Sequence, residues 1–256
     1  MESRWKAALV RMPVLYHLAL AARESLRGLH RAGLVVARGP AIRRYLAAHP
    51  VRKLQVGCGE IANSGWLNAD FAPRAPGVVF MDATRRFPFD DATFDYVFSE
   101  HLIEHIAYED GLAFLAESRR VLRPGGRIRI ATPDLARLAA MIAPGATGTT
   151  GAAEDPTARA YREWIAATCL FDPAKSAPAF VLNHNMRAWG HTFLYDEPTL
   201  RAALGQRGFT DIRRVEMGKS ADPELVGLEM HGRIVGNETL VAWETMVIEA
   251  VCPKPA

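Results

Sequence analysis

Between Pro13 and Arg31 the apolar positions Leu15, Leu18, Ala22, Leu26 and Leu29 recur at steps of three and four, while Arg23, Arg27 and Arg31 step by four along another face. That period predicts an amphipathic basic helix, and Pro13 suits its first turn. Gly39-Pro40 marks a break, after which residues 41–48 predict a second short helix ending before Pro50. From residue 53 onward short apolar runs alternate with turn signals, as an α/β sheet requires. Strands are predicted at 53–56, 66–69, 78–81 and 96–99, then a helix at 109–122 stopped by Pro124-Gly125-Gly126, and a fifth strand at 127–131. Residues 143–156 carry Gly145, Gly148 and Gly151 among threonines and predict a mobile surface loop. Beyond it lie a predicted helix at 157–169, an irregular stretch rich in His, Asn and Trp at 183–195, a helix at 196–206 closed by Gly208, and strands at 212–217 and 243–251.

Composition narrows the class. At 256 residues, 49% hydrophobic and 23% charged, the chain can bury one substantial core, which excludes a disordered, collagen-like or disulfide-framed protein. The formal charge of +3 hides an asymmetry: residues 1–49 hold nine Arg or Lys against two Glu, and the remainder holds 22 against 26. The basicity therefore belongs to an N-terminal extension and the body is mildly acidic, a poor match to nucleic-acid binding. Three widely spaced cysteines, Cys58, Cys169 and Cys252, suit neither a disulfide framework nor a structural zinc site, so the expected compartment is the cytosol. No run approaches the roughly 18 apolar residues of a spanning helix. The mostly apolar stretch at 12–22 is interrupted by Pro13 and His17 and is not expected to be a cleaved signal.

Candidate chemistry begins at Val56-Gly57-Cys58-Gly59-Glu60, a strand running into a glycine-bounded turn where a ligand can approach the amides. With Ala62 this satisfies a loose dinucleotide fingerprint. That reading also wants a long helix and an acid about 20 residues on, whereas Asn63-Ser64-Gly65 breaks any helix and Asp70 follows Gly57 by 13. A nicotinamide cofactor is disfavoured. Asp70 at the end of the second strand can accept hydrogen bonds from both hydroxyls of a ribose. Asp82-Ala83 follows the third strand, and Ser99-Glu100-His101 leaves the fourth. All four positions fall at carboxyl ends of parallel strands, the edge at which open α/β sheets bind ligands.

The sequence resembles the class I S-adenosylmethionine-dependent methyltransferases, specifically the small bacterial methyltransferase-11-like group, over about residues 53–251. The resemblance is carried by Leu54-Gln55-Val56-Gly57-Cys58-Gly59, Gly65-Trp66-Leu67-Asn68-Ala69-Asp70, Phe87-Pro88-Phe89-Asp90, Phe94-Asp95-Tyr96-Val97, Glu100-His101-Leu102-Ile103-Glu104-His105 and Val121-Leu122-Arg123-Pro124-Gly125-Gly126. Trp189-Gly190-His191 through Tyr195-Asp196, and Gly208-Phe209, also look like this group. It implies a Rossmann-like three-layer α/β sandwich with a mostly parallel seven-stranded sheet at residues 51–256, an insertion at about 143–195, and a helical extension at 1–50. It implies S-adenosyl-L-methionine as cofactor, with Gly57 and Gly59 on the methionine part, Asp70 on the ribose, Asp82 on the adenine amino group beside Ala83, and Ser99, Glu100 and His101 lining the sulfonium. The link from Gly59 to Asp70 is shorter than the first crossover helix of larger relatives, so a shortened helix or single turn is expected there.

Methyl transfer needs acceptor and methyl held in line, and a base only when the acceptor must lose a proton. Histidine suits deprotonation of a hydroxyl. His101 is the first candidate because it follows the fourth strand directly, and His191 the second because it lies in a loop. His101, Glu104 and His105 offer metal-ligand types, but the zincin pattern places Glu next to the first His, and no metal is expected. Trp189, Phe193 and Tyr195 are candidates for an aromatic wall of the acceptor pocket, and Glu229 and His231 for closing the site from the other side. The leucine stripe at 13–31 is expected to pack on the body or a second subunit, with an anionic membrane surface as the alternative. The expected activity is methylation of a hydroxyl on a small molecule or a glycan or lipid precursor. The alternative is a non-catalytic S-adenosylmethionine-binding partner or regulatory module.

Overall fold

The computed structural model describes residues 13–142 and 155–254, so the glycine- and threonine-rich stretch at 143–154 lies outside the described residues. The chain divides into two units, Met1–Ala48 and His49–Ala256. In the first, helix α1 (Pro13–Ala48) runs unbroken for 36 residues with Pro40 inside it, where the sequence predicted two helices. Proline removes its own N–H from the ladder and crowds the carbonyl four residues back, yet the residues on both sides of Pro40 stay helical. Among the described residues no helix is long and apolar enough to cross a membrane.

The second unit is built on one seven-stranded sheet: β1 (Lys53–Val56), β2 (Leu67–Asp70), β3 (Val79–Phe80), β4 (Phe94–Glu100), β5 (Leu122–Pro133), β6 (Thr210–Val215) and β7 (Thr245–Val251). Their order is β3-β2-β1-β4-β5-β7-β6. The first five are parallel, and β7 runs antiparallel to both neighbours. The order reverses between β1 and β4, which opens a crevice at their carboxyl ends. Central strands are apolar on both faces, with Leu54, Val56, Val97, Phe98, Ile128 and Ile130 at most 1% exposed, as parallel strands covered on both sides must be.

Helix α2 (Tyr108–Val121) crosses from β4 to β5. The Pro124-Gly125-Gly126 triplet, expected to precede the fifth strand, lies within β5, where the register with β4 slips between Phe94 and Tyr96. Gly126 is required there because a Cβ would stand 2.9 Å from the carbonyl oxygens of both Arg123 and Asp95. The remaining helices are α3 (Leu135–Ala140), α4 (Pro156–Thr168), α5 (Pro178–Arg187), α6 (Glu197–Gln206), α7 (His231–Ile234) and α8 (Glu238–Glu244). Helix α5 overlaps the stretch expected to be irregular. Its polar Asn185 is buried rather than exposed, accepting a hydrogen bond from the Tyr161 hydroxyl and donating one to the Val181 carbonyl, which hides the helix from a hydrophobicity reading.

The link from β1 to β2 contains turns and no helix, in line with the short spacing. Segment 216–231 covers the sheet face carrying Tyr96, Phe98 and Glu100. Leu225 and Leu228 pack on Trp66 and Phe98. Around this apolar patch Asp222 accepts from the Tyr96 hydroxyl at 3.0 Å, and Lys53 pairs with Glu224 at 2.8 Å. Arg129 of β5, fully buried, joins Glu229 at 2.6 Å and Glu249 of β7. Glu229 thus fastens the segment to the sheet and is not part of the site, against the sequence expectation.

Candidate functional site

The residues singled out from sequence converge at the carboxyl ends of β1 to β4. Gly57 and Gly59 have φ of +70° and +55°, conformations open to glycine at little cost. The two differ in surroundings: a Cβ on Gly57 would lie 2.7 Å from Leu102 Cδ1, whereas one on Gly59 would meet nothing within 4 Å. Gly57 is therefore a packing glycine and Gly59 borders open space. Asp70 organises the turn, since its carboxylate accepts from the Gly59 amide at 2.8 Å and the Ala72 amide at 2.7 Å. Each oxygen keeps a lone pair for a hydroxyl donor. Asp82 uses one oxygen on the amide and hydroxyl of Thr84, at 2.9 and 2.7 Å, and Ala83 beside it is buried. The Ser99 hydroxyl is buried without a partner among the described residues. Cys58 is no thiolate here: burial, then the charge of Asp70, push its thiol up to about 12.

Glu100 turns the other way. Its carboxylate accepts from the amides of Met230 at 3.0 Å and His231 at 2.9 Å, which fixes the start of α7. Burial raises its pKa and those two bonds oppose the rise. The structure thus gives Glu100 a role in holding the covering segment, where the sequence placed it at the cofactor.

His101 leaves β4 with φ of +47°, an uncommon conformation for a side-chain-bearing residue. Its Nδ1 lies 2.9 Å from Glu104 Oε1, and its Nε2 is buried without a partner among the described residues. Glu104 is fully buried and also accepts from the Thr132 hydroxyl at 3.0 Å. Burial acts to lower the His101 pKa, but the bond to Glu104 and its charge win, bringing it up to about 9. Burial acts to raise that of Glu104, and the same pairing pulls it below the ordinary carboxylate value. The ring of His231 lies against that of His101, centroids 4.1 Å apart. Burial and the neighbouring His101 charge pull His231 down to about 4, so it stays neutral.

These rings form one wall of a cavity of about 400 Å³ whose other walls include Tyr161, Trp164, Trp189, His191 and Glu244. The Tyr161 hydroxyl hydrogen-bonds to both Asn185, at 2.9 Å, and Glu244. His191 sits with its Nδ1 2.6 Å from the Asn185 carbonyl, and burial lowers its pKa. Its ring meets that of His105 at 4.8 Å. One ligating atom from each of Glu104, His105 and His191 lies within 4.8 Å of the others. The triplet weighed from sequence shared two of these residues, but the third comes from a distant segment that no local spacing reveals. Of the expected aromatic wall, Trp189 reaches the cavity, while half-buried Phe193 and fully buried Tyr195 pack on Tyr108. The i,i+3 spacing of His101 and Glu104 was a usable signal for their pairing, whereas Tyr161, Asn185 and Glu244 carried none.

The buried, unpartnered Ser99 hydroxyl, the open space at Gly59 and the spare acceptor positions on Asp70 and Asp82 fit an adenosine joined to an amino acid. Comparison with known proteins agrees. Residues 54–130 match the family described as "Methyltransferase domain". No curated protein matches the sequence. Similar solved structures include an S-adenosylmethionine-dependent methyltransferase from Archaeoglobus fulgidus, 19% identical with a TM-score of 0.44 over 86% of this chain and 93% of that one. Another, from Mesorhizobium loti, is 17% identical with a TM-score of 0.44 over 84% and 99%. The phosphoethanolamine N-methyltransferase 2 of Haemonchus contortus, in complex with S-adenosyl-L-methionine, is 18% identical with a TM-score of 0.44 over 80% of this chain and 49% of its own, so the match spans about half of that protein. At these scores the likeness says nothing of substrate. Residues 54–130 thus match a methyltransferase domain, and the residues at the strand ends fit S-adenosylmethionine as the cofactor of such a domain.

Proposed function

We propose that the protein methylates a hydroxyl group of a small molecule or glycan precursor bound in the histidine-lined cavity. The observation that supports this most is His101, whose ring lines the cavity: one ring nitrogen is held by buried Glu104, and the other, Nε2, is buried with no protein partner among the described residues. That is the arrangement of a base oriented by a carboxylate. When bound, S-adenosylmethionine supplies an electrophilic methyl group whose C–S bond breaks as the acceptor's O–C bond forms, the electron pair staying on sulfur.

The protein's own residues do the rest. Gly59, Asp70 and Asp82 hold the cofactor at the strand ends, next to the exit of β4 that carries His101. In its neutral form His101 takes the acceptor's proton on Nε2, and Glu104 steadies the imidazolium that results; with the His101 pKa at about 9, that form, and the transfer rate with it, grows as pH rises toward 9. His231 covers one face of the His101 ring and fixes its plane, while Trp164 and Trp189 give the acceptor an apolar surface. The cavity volume of about 400 Å³ suits a monosaccharide or a small aromatic and not a folded macromolecule.

The test is methyl transfer from labelled S-adenosylmethionine to a panel of hydroxyl, carboxyl and amine acceptors, with the products read by mass spectrometry. The expected result is an O-methylated product whose formation drops about 10²–10⁴-fold in His101→Gln, with affinity for S-adenosylhomocysteine retained. Transfer to amines alone, or full activity in the variant, would overturn the proposal. Binding of the cofactor with no transfer to any acceptor would favour a regulatory module instead.

A further inference from the structure

From the grouping of Glu104, His105 and His191 we infer a site for one first-row divalent cation of the zinc type in the wall of the acceptor cavity. Each of the three offers one ligand atom, and those atoms lie within 4.8 Å of one another. Two ligands on one zinc, each at about 2.0–2.1 Å, cannot be more than about 4.2 Å apart, so closing the set takes side-chain shifts of the order of 1 Å. Two imidazoles and one carboxylate with room for a fourth ligand is a donor set that selects zinc and its neighbours over magnesium or calcium.

The surroundings are those of a built site. His191 Nδ1 lies 2.6 Å from the Asn185 carbonyl. A carbonyl only accepts, so Nδ1 carries the hydrogen and Nε2 is left as the ligating atom, the usual outer-sphere arrangement of a metal-bound histidine. Asn185 is itself fixed, 1% exposed and bonded to Tyr161 and the Val181 carbonyl. Glu104 is fixed by His101 and Thr132, one bond per oxygen, which leaves each oxygen a further lone pair. Its carbonyl also accepts from the amides of Thr192, at 2.7 Å, and Phe193, at 3.2 Å. That pair of bonds ties the His191 loop directly to the turn bearing Glu104 and His105. Between them the chain passes through Gly190 at φ of +83°, where a Cβ would sit 3.8 Å from His105 Nδ1.

Both His105 and His191 border the cavity, as does His101. A cation there has its open position toward the acceptor and acts as a Lewis acid, polarising the hydroxyl whose proton passes to His101 Nε2. In this arrangement His191 serves as a ligand and not as the second base suggested by sequence. The role in transfer rests on the proposed function, but the metal site does not, and it is measured without cofactor or acceptor.

The experiment is calorimetric titration of chelator-treated full-length protein with zinc chloride, for wild type, His105→Ala and His191→Ala. Affinity for S-adenosylhomocysteine serves in each as the check of folding. The expected result is one zinc per chain in the wild type and a loss of at least about 100-fold in affinity in each variant, with S-adenosylhomocysteine binding retained. No stoichiometric zinc in the wild type, or equal zinc affinity in all three proteins, would overturn the site. Zinc binding that leaves methyl transfer equal with and without chelator would overturn its catalytic use.

Discussion

Gly57 and Gly59 provide a sharp internal comparison, because the same substitution two residues apart should damage two different properties. Both have positive φ, so alanine at either costs about 1–2 kcal/mol of backbone strain. At Gly57 the new methyl also lands 2.7 Å from Leu102 Cδ1 and 3.0 Å from Leu102 Cβ. Leu102 opens the turn bearing Glu104 and follows His101, so it cannot move without shifting the paired His101 and Glu104 side chains. Overpacking of this kind costs a further ~1–3 kcal/mol, for a total of about 2–5 kcal/mol. At Gly59 nothing lies within 4 Å, and the methyl enters the space through which a ligand reaches the turn amides. Gly59→Ala should therefore lose only the strain energy in stability but at least about 10-fold in affinity for S-adenosylhomocysteine. Urea unfolding followed by circular dichroism gives the first quantity and calorimetry the second. Equal stability of the two variants would refute the packing role of Gly57, and unchanged affinity in Gly59→Ala would refute the reading of that open space as the cofactor cradle.

The buried cluster beneath segment 216–231 makes a separate prediction. Glu229→Ala leaves the fully buried Arg129 guanidinium with Glu249 as its remaining carboxylate, beside the Lys219 carbonyl, and unfolding free energy should fall by about 3–5 kcal/mol; a fall below about 1 kcal/mol would mean the segment is held by its apolar contacts. Glu244, buried beside the cavity, has its pKa raised, first by burial, with the His101 charge acting against it. A raised acid favours folding while it is protonated in both states, and that advantage is lost as pH rises from the ordinary value of 4.5 through the folded value. Glu244→Gln should thus match the wild type near pH 4 and gain stability relative to it as pH rises toward 8. A difference between the two proteins that does not vary with pH would contradict this.

Much of the fold could be read from the sequence because the strands are short apolar runs between turn residues, and a parallel sheet buried on both faces requires such runs. The same rule failed where a polar residue is buried with a partner. Asn185 made α5 look like loop, and Arg129 gave no hint that β5 carries a buried ion cluster. Gly39-Pro40 reads as a stop yet lies in a continuous helix, whereas Pro124-Gly125-Gly126 does follow the end of α2 at Val121 but lies inside β5 and not before it. Proline and glycine mark local conformation, not the reach of an element. At the candidate site, Gly57, Gly59, Asp70, Asp82 and His101 can be picked out in the sequence because each lies at, or within three residues of, the carboxyl end of a strand. In the second half of the cavity His191 and His231 stand out in the sequence as histidines, whereas Tyr161 and Glu244 do not, because these residues come from separate segments brought together only by tertiary packing. Glu100, also at a strand end, has its carboxylate taken up by the amides of Met230 and His231, contacts from a distant segment that no local spacing reveals.

The most direct test of the cofactor assignment is calorimetric titration of the full-length protein with S-adenosylhomocysteine, wild type against Asp70→Ala. Asp70 supports the Gly59 and Ala72 amides and keeps lone pairs for a ribose. Hydrogen bonds to a charged acceptor are worth about 1.5–3 kcal/mol each, so its removal should weaken a one-to-one complex by at least about 10-fold while the protein stays folded. A wild-type protein that binds neither S-adenosylhomocysteine nor S-adenosylmethionine, or an Asp70→Ala variant that binds as tightly as the wild type, would contradict the account.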